Sequence, residues 1–296
     1  MTAGLRLQSV LFCSLALALV VASLIGLRLA PLHELLVAGA LIALLGMPHG
    51  AFDVVFARKL FGVVDLQGWA LFSLLYLGLA AVVVGFWFVA PTPFLCAFLV
   101  CSALHFGGDP AAGTSRFTRG LYGGAVIVLP ALWHGPELQR LLGLVAGPAS
   151  AAYVAPVLSQ MAAPWLGATA LSCLLLARTS RMAASELIGL AALSVTAPPL
   201  VAFTVYFCAM HSPRHILRAL GSFPHSEVRN ALVLALWPAL AVLAVVTALA
   251  VTGGLSSGRS TPAWVMQIVF VGLAALTLPH MVLLERVRQA ALATQR

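Results

Sequence analysis

Long apolar runs follow one another along this chain with almost no charge inside them, and that succession leaves few folds open. Backbone N–H and C=O groups in hydrocarbon must be satisfied within the protein, which a helix does segment by segment. The runs fall at about 7–29, 32–48, 68–90, 92–106, 119–135, 160–177, 184–197, 199–215, 230–252 and 262–284. The expected fold is therefore an all-α polytopic integral membrane helical bundle of about ten spans. Several runs are shorter than the roughly 20 residues of a straight span, so short or broken helices are expected. A soluble domain would carry roughly a quarter charged residues; this chain carries 8% and is 62% hydrophobic. No stretch reads as a separate soluble domain, and residues 1–296 are taken as one membrane-embedded unit. The first run is too long for a signal-peptide core and reads as a retained span.

Charge fixes the expected topology. The formal net charge of +8 belongs to loops rather than to a nucleic-acid surface, because Lys and Arg collect on the cytoplasmic side. With ten spans and a cytoplasmic N-terminus, 13 Lys and Arg residues (among them Arg58, Lys59, Arg214 and Arg218) fall inside and 3 outside. Joining 184–215 into one span across Pro198-Pro199 gives 8 against 8. Ten spans, with both termini cytoplasmic in a bacterial inner membrane, are expected. The stretch 136–159, with Gly147, Pro148 and Pro156, reads as an interfacial helix pair, and 253–262 as a loop.

That topology puts three histidine motifs at one depth. They read Pro48-His49-Gly50-Ala51-Phe52-Asp53, Leu104-His105-Phe106-Gly107-Gly108-Asp109 and His211-Ser212-Pro213-Arg214-His215, and each closes an apolar run. An unpaired imidazole in hydrocarbon costs several kcal/mol by rough estimate. Four such rings at helix ends suggest one shared partner, a metal ion. His211 and His215 project from one helical face one turn apart, although Pro213 between them disturbs that helix. Four imidazoles without thiolate suit iron, copper, zinc or nickel, and ferrous iron if the chemistry uses oxygen.

Asp53 and Asp109 each follow a histidine by four residues. They are candidates to accept the second ring N–H of a metal-bound histidine, or else helix caps and turn residues. His280, at a proline-distorted turn of the last run, is a further candidate to line the site. His33, His134 and His225 read as solvated. Aromatic residues near the motif-bearing runs suit either packing and interfacial belts or a tunnel for a long apolar substrate, with Tyr206 and Phe207 the candidate tunnel residues. Cys13, Cys96, Cys101, Cys173 and Cys208 read as buried free thiols. Phosphate-binding glycine loops, a Ser/His/Asp arrangement and paired hydrolase carboxylates are absent from the sequence. Histidine clusters of the H-x-x-H-H kind used by di-iron lipid hydroxylases are also missing. A membrane metallo-oxygenase acting on a lipid, and a b-type haem electron carrier, are readings these residues leave open. Lys59 is the sole lysine and lies in a loop, so no buried lysine is available to form a Schiff base.

At these residues the chain resembles the Brp/Blh family of membrane-embedded β-carotene 15,15'-dioxygenases. The match rests on 46–53, on 102–109, on 211–215 and on the closing Thr277-Leu278-Pro279-His280-Met281, in that order. The resemblance implies an enzyme that splits the central double bond of β-carotene with O2 to give two all-trans-retinal molecules. It also implies Fe(2+) held by His49, His105, His211 and His215, and a functional link to a retinal-binding opsin.

Overall fold

The computed structural model describes residues 2–111, 113–256 and 260–293, and every element among them is helical. In chain order the helices are α1 (Ala3–Leu24), α2 (Pro31–Leu41), α3 (Asp53–Phe61), α4 (Leu66–Val89), α5 (Pro91–Phe106), α6 (Arg116–Val128), α7 (Gly135–Ala146), α8 (Pro148–Ala177), α9 (Arg181–Thr196), α10 (Pro199–Val205), α11 (Ser212–Leu220), α12 (His225–Ser256) and α13 (Thr261–Ala293). Their starts follow from local chemistry. Thr2, Asp65, Ser115 and Ser180 cap α1, α4, α6 and α9 by accepting a backbone N–H from the first turn. Proline opens α2, α5, α8 and α10, where its missing N–H costs nothing.

Six helical segments among the described residues are long and apolar enough to cross a bilayer, namely Ala3–Leu24, Pro31–Phe61, Leu66–Val89, Pro148–Ala177, His225–Thr252 and Thr261–Ala290. The protein is an all-helical integral membrane protein, and the remaining apolar runs fold as shorter helices among these. Two boundaries differ from the sequence reading. The interfacial pair expected over 136–159 is instead α7 followed by a single α8 that runs through Pro156 and Pro164. Proline is tolerated there because neighbouring helices and local adjustments satisfy the freed backbone groups. The loop expected over 253–262 is helical through Ser256, and 257–259 lie outside the described residues. The chain does break at Ala197-Pro198, separating α9 from α10 as two elements.

The lipid face and the core are sorted by helix. α4 buries only Ala80 and presents Leu71, Leu74, Val82 and Phe88 outward, as expected of a span hydrophobic all round. The interior is filled from the other side, with Phe12 of α1, Ile42, Phe106, Leu129, Leu187, Leu190, Tyr206 and Met210 in one cluster. α1 packs on α9, α4 on α13, α5 on α6 and α7 on α8. The α5–α6 contact needs Gly123, because a Cβ there would overlap the Ala103 carbonyl. This close approach of small residues fixes the end of α5 that carries His105.

Candidate metal centre

Two breaks in helical regularity aim the first and third histidine motifs inward. Between α2 and α3 the chain winds through a π-helical turn, Ile42–Gly46, and then a 3-10 turn, Met47–Phe52, with Pro48 near its start. Between α10 and α11 it forms a second π-helical turn, Tyr206–His211, with Pro213 just beyond it. A proline cannot donate to the carbonyl four residues back, and that carbonyl needs another donor. For Pro213 it is Ala209 O, which accepts Gln8 Nε2 of α1 at 2.8 Å. The two turns and the helix ends beside them also bind each other: Ser212 Oγ donates to Leu45 O at 2.7 Å and Cys208 Sγ to Leu41 O at 3.4 Å. Gly46 lies directly against the Phe207 ring, which a Cβ at that position would overlap.

The imidazoles of His49, His105, His211 and His215 meet in the interior, close enough to share one partner. From the His49 ring the centroids of His211, His215 and His105 lie 4.9, 5.4 and 6.3 Å away. His105 and His211 are 4.6 Å apart, and His211 and His215 6.4 Å. One nitrogen from each of His49, His105 and His211 falls within 4.8 Å of the others, a spacing suited to a metal ion. His280 joins this group, with its ring 5.4 Å from His49, 5.2 Å from His105 and 5.0 Å from His215.

Each carboxylate serves a histidine of a different motif. Asp53 accepts His280 Nδ1 at 2.7 Å and the Tyr76 hydroxyl at 2.8 Å. Asp109 accepts His211 Nδ1 at 3.1 Å and the Tyr206 hydroxyl at 2.5 Å. The local pairing that His-x-x-x-Asp spacing suggests is absent, because both acids point across to a neighbouring helix. His49 Nδ1 donates to Gly46 O at 2.6 Å. With Nδ1 committed on three rings, Nε2 is the atom left facing the group. Among the described residues, Nε2 of His211, His215 and His280 is buried with no hydrogen-bond partner. Leaving such an atom unsatisfied costs about 1–3 kcal/mol, and a cation shared by the rings removes that cost for all of them. The donor set is imidazole with carboxylate or carbonyl behind it, which fits a first-row divalent metal.

Arginine residues hold the outside of this cluster. Arg214, read from sequence as a loop charge, is 3% exposed and forms a bidentate pair with Glu186 of α9 at 2.6 and 3.0 Å. It also reaches Gln8 Oε1 at 3.0 Å, Ser9 Oγ at 2.8 Å and Asp109 O at 3.2 Å. Arg218 donates to Gly108 O and Asp109 O, and Arg119 to Gly107 O. The segment that carries Asp109 is thereby clamped by guanidinium groups. Sequence reasoning missed Glu186, Gln8 and Ser9. The available signal was an acid within an apolar run, which must find a partner when buried.

Two cavities adjoin the rings, and a third adjoins one of these. The largest, about 510 Å³, is almost wholly apolar and lies between α4, α12 and α13. His49, Asp53, Tyr76 and His280 form its inner end, and Trp69, Phe72, Leu234 and Trp237 its walls. A small one of about 20 Å³ lies against His49, His105 and Phe207. It shares Phe98, Ser102, Phe106 and Phe203 with a third, apolar cavity of about 90 Å³. Phe207 thus lines space beside the rings. Tyr206 is fully buried with its hydroxyl on Asp109 and stands behind His211 rather than along any of these cavities. Of the histidines expected in solvent, His33 and His225 are exposed. His134 is instead buried, its Nε2 3.1 Å from Thr196 O.

Comparison with known proteins meets this geometry independently. A family model described as beta-carotene 15,15'-dioxygenase matches residues 40–287, a span that contains all five clustered histidines. The chain is 31% identical over 264 residues to a protein named beta-carotene 15,15'-dioxygenase from an uncultured marine bacterium, 66A03, covering 83% of this chain and 91% of that one. It is also 31% identical over 286 residues to a probable beta-carotene 15,15'-dioxygenase Blh from Halobacterium salinarum, covering 83% and 81%. No solved structure matches. With a matched region that runs from α2 into α13, the chain belongs to the beta-carotene 15,15'-dioxygenase family.

Proposed function

We propose that this protein cleaves the central 15,15' double bond of β-carotene with O2 and releases two molecules of all-trans-retinal. The observation that carries the reading is the meeting of histidines from distant segments, with buried Nε2 atoms lacking partners, at the inner end of a large apolar cavity. His49, His105, His211 and His215 would hold ferrous iron, whose chemistry when bound is the activation of oxygen.

The chain's own contribution is positioning. Asp109 orients His211 and fixes its tautomer, and Tyr206 in turn holds Asp109. The cavity between α4, α12 and α13 takes a polyene directly from the bilayer, and its apolar walls keep water from the reacting bond. Past His49, the smaller cavities lined by Phe98, Phe106 and Phe203 continue the apolar path and widen to receive the other half of the molecule. A symmetric substrate held across this constriction has its midpoint beside the rings. Holding the bond there supplies the proximity that such a reaction needs.

The excess of Lys and Arg on one side supports an inner-membrane protein whose termini and histidine cluster face the cytoplasm. Retinal released there would serve a retinal-binding opsin. The test is the detergent-purified protein, loaded with iron and given β-carotene and O2, with products separated by chromatography. Retinal should form as the sole aldehyde, and His105→Ala should abolish it. Retinal production unchanged in His105→Ala would overturn the assignment.

A further inference from the structure

We infer that His280 is a direct metal donor, a fifth imidazole of the same centre. This rests on the metal-binding reading above and goes beyond its four histidines. The first argument is an internal duplication. Tyr206 donates to Asp109, and Asp109 accepts Nδ1 of His211, whose Nε2 is buried without a partner. Tyr76 donates to Asp53, and Asp53 accepts Nδ1 of His280, whose Nε2 is likewise buried without a partner. The two relays use the same residue types in the same order on the same atoms. In each, the aspartate lies four residues after a clustered histidine, His105 in one case and His49 in the other. Whatever Nε2 of His211 is built to bind, Nε2 of His280 is built to bind too.

The second argument is closure. His105, His211, His215 and His280 form a circuit of neighbouring rings, with successive centroids 4.6, 6.4, 5.0 and 5.2 Å apart. His49 contacts all four members. Without His280 the circuit is open on the side of the large cavity. A ring placed there only to orient another ligand would hydrogen-bond to it, yet its one bond goes outward to Asp53. His280 is 2% exposed, so solvent does not satisfy its inner nitrogen. Pro279 immediately before it leaves the Ala275 carbonyl of α13 without its helical donor, and this local loosening lets the ring turn inward. Five imidazoles would hold the ion, with the rings of His49 and His280 bordering the large cavity.

The experiment uses full-length protein in detergent, stripped of metal and titrated with cobalt(II), whose visible bands report coordination number without any turnover. Wild type should show the weak bands of a five- or six-coordinate ion. His280→Ala should shift them to the stronger bands of four-coordination and weaken binding at least 10–100-fold, roughly the loss caused by removing an outer partner. Added imidazole should restore the wild-type bands by filling the vacated place. If His280→Ala does not fold, His280→Gln retains a polar partner for Asp53 and is read the same way. Bands and affinity unchanged from wild type in the variant would overturn the fifth donor alone. No cobalt bands in wild type would overturn the metal centre as a whole, and the two failures are thereby told apart.

Discussion

Glu186→Ala should destabilise the protein more than any loss of a single apolar contact near the site. Glu186 is 4% exposed and is the counter-ion of Arg214, itself 3% exposed. Its removal leaves the guanidinium with only neutral partners, namely Gln8, Ser9 and the Asp109 carbonyl. Breaking a buried ion pair from one side costs about 3–5 kcal/mol, because the remaining charge stays desolvated. At about 2 °C per kcal/mol for a chain of this size, the melting temperature should fall by about 6–10 °C. Thermal unfolding in detergent, followed by helical circular dichroism, measures that. Metal retention should fall with it, since Arg214 lies between His211 and His215. The double variant Glu186→Leu/Arg214→Met removes both charges and should recover most of the lost stability, as apolar replacements of buried pairs do. If the single variant melted within 2 °C of wild type, roughly 1 kcal/mol, the reasoning about a buried charge would be wrong. A double variant less stable than the single one would refute it equally.

Other expectations follow from the same contacts. Asp109→Asn keeps the shape of the carboxylate but weakens its hold on His211 Nδ1, and should lower metal affinity about 10–100-fold with the fold intact; equilibrium titration against a chelator measures this. Gly46→Ala drives a methyl group into the Phe207 ring and should cost about 1–3 kcal/mol, visible as a lowered melting temperature. Ala43→Trp fills part of the large cavity. It should raise the KM for β-carotene while leaving metal content unchanged. Chelation should abolish retinal formation, and ferrous iron should restore it.

Much of this molecule was legible because polar residues in apolar runs are few and each needs a reason. The helical membrane class follows from the runs themselves, and the grouping of His49, His105, His211 and His215 from imidazoles at the ends of apolar runs, where each needs a partner. The partners of Asp53 and Asp109 were not legible. Spacing of four residues suggests a local pair, but the chain between His49 and Asp53 is a 3-10 turn leading into α3, and the carboxylate faces α13. Arg214 was misread because charge counting treats an arginine after an apolar run as solvated, whereas Glu186 and Gln8 lie far away in sequence. The count of about ten spans is approximate: six helices among the described residues are long and apolar enough to cross, and shorter runs, such as those that form α6 and α10, fold as short helices. Composition cannot separate a short buried helix from a short span.

The metal content of the purified protein bears most directly on the whole account. Elemental analysis of wild type, reconstituted anaerobically with ferrous iron and desalted, should find a single iron per chain. The same protocol applied to His211→Ala, folded by circular dichroism, should find almost none. Equal iron in the two proteins, or none in either, would contradict a centre built from these histidines.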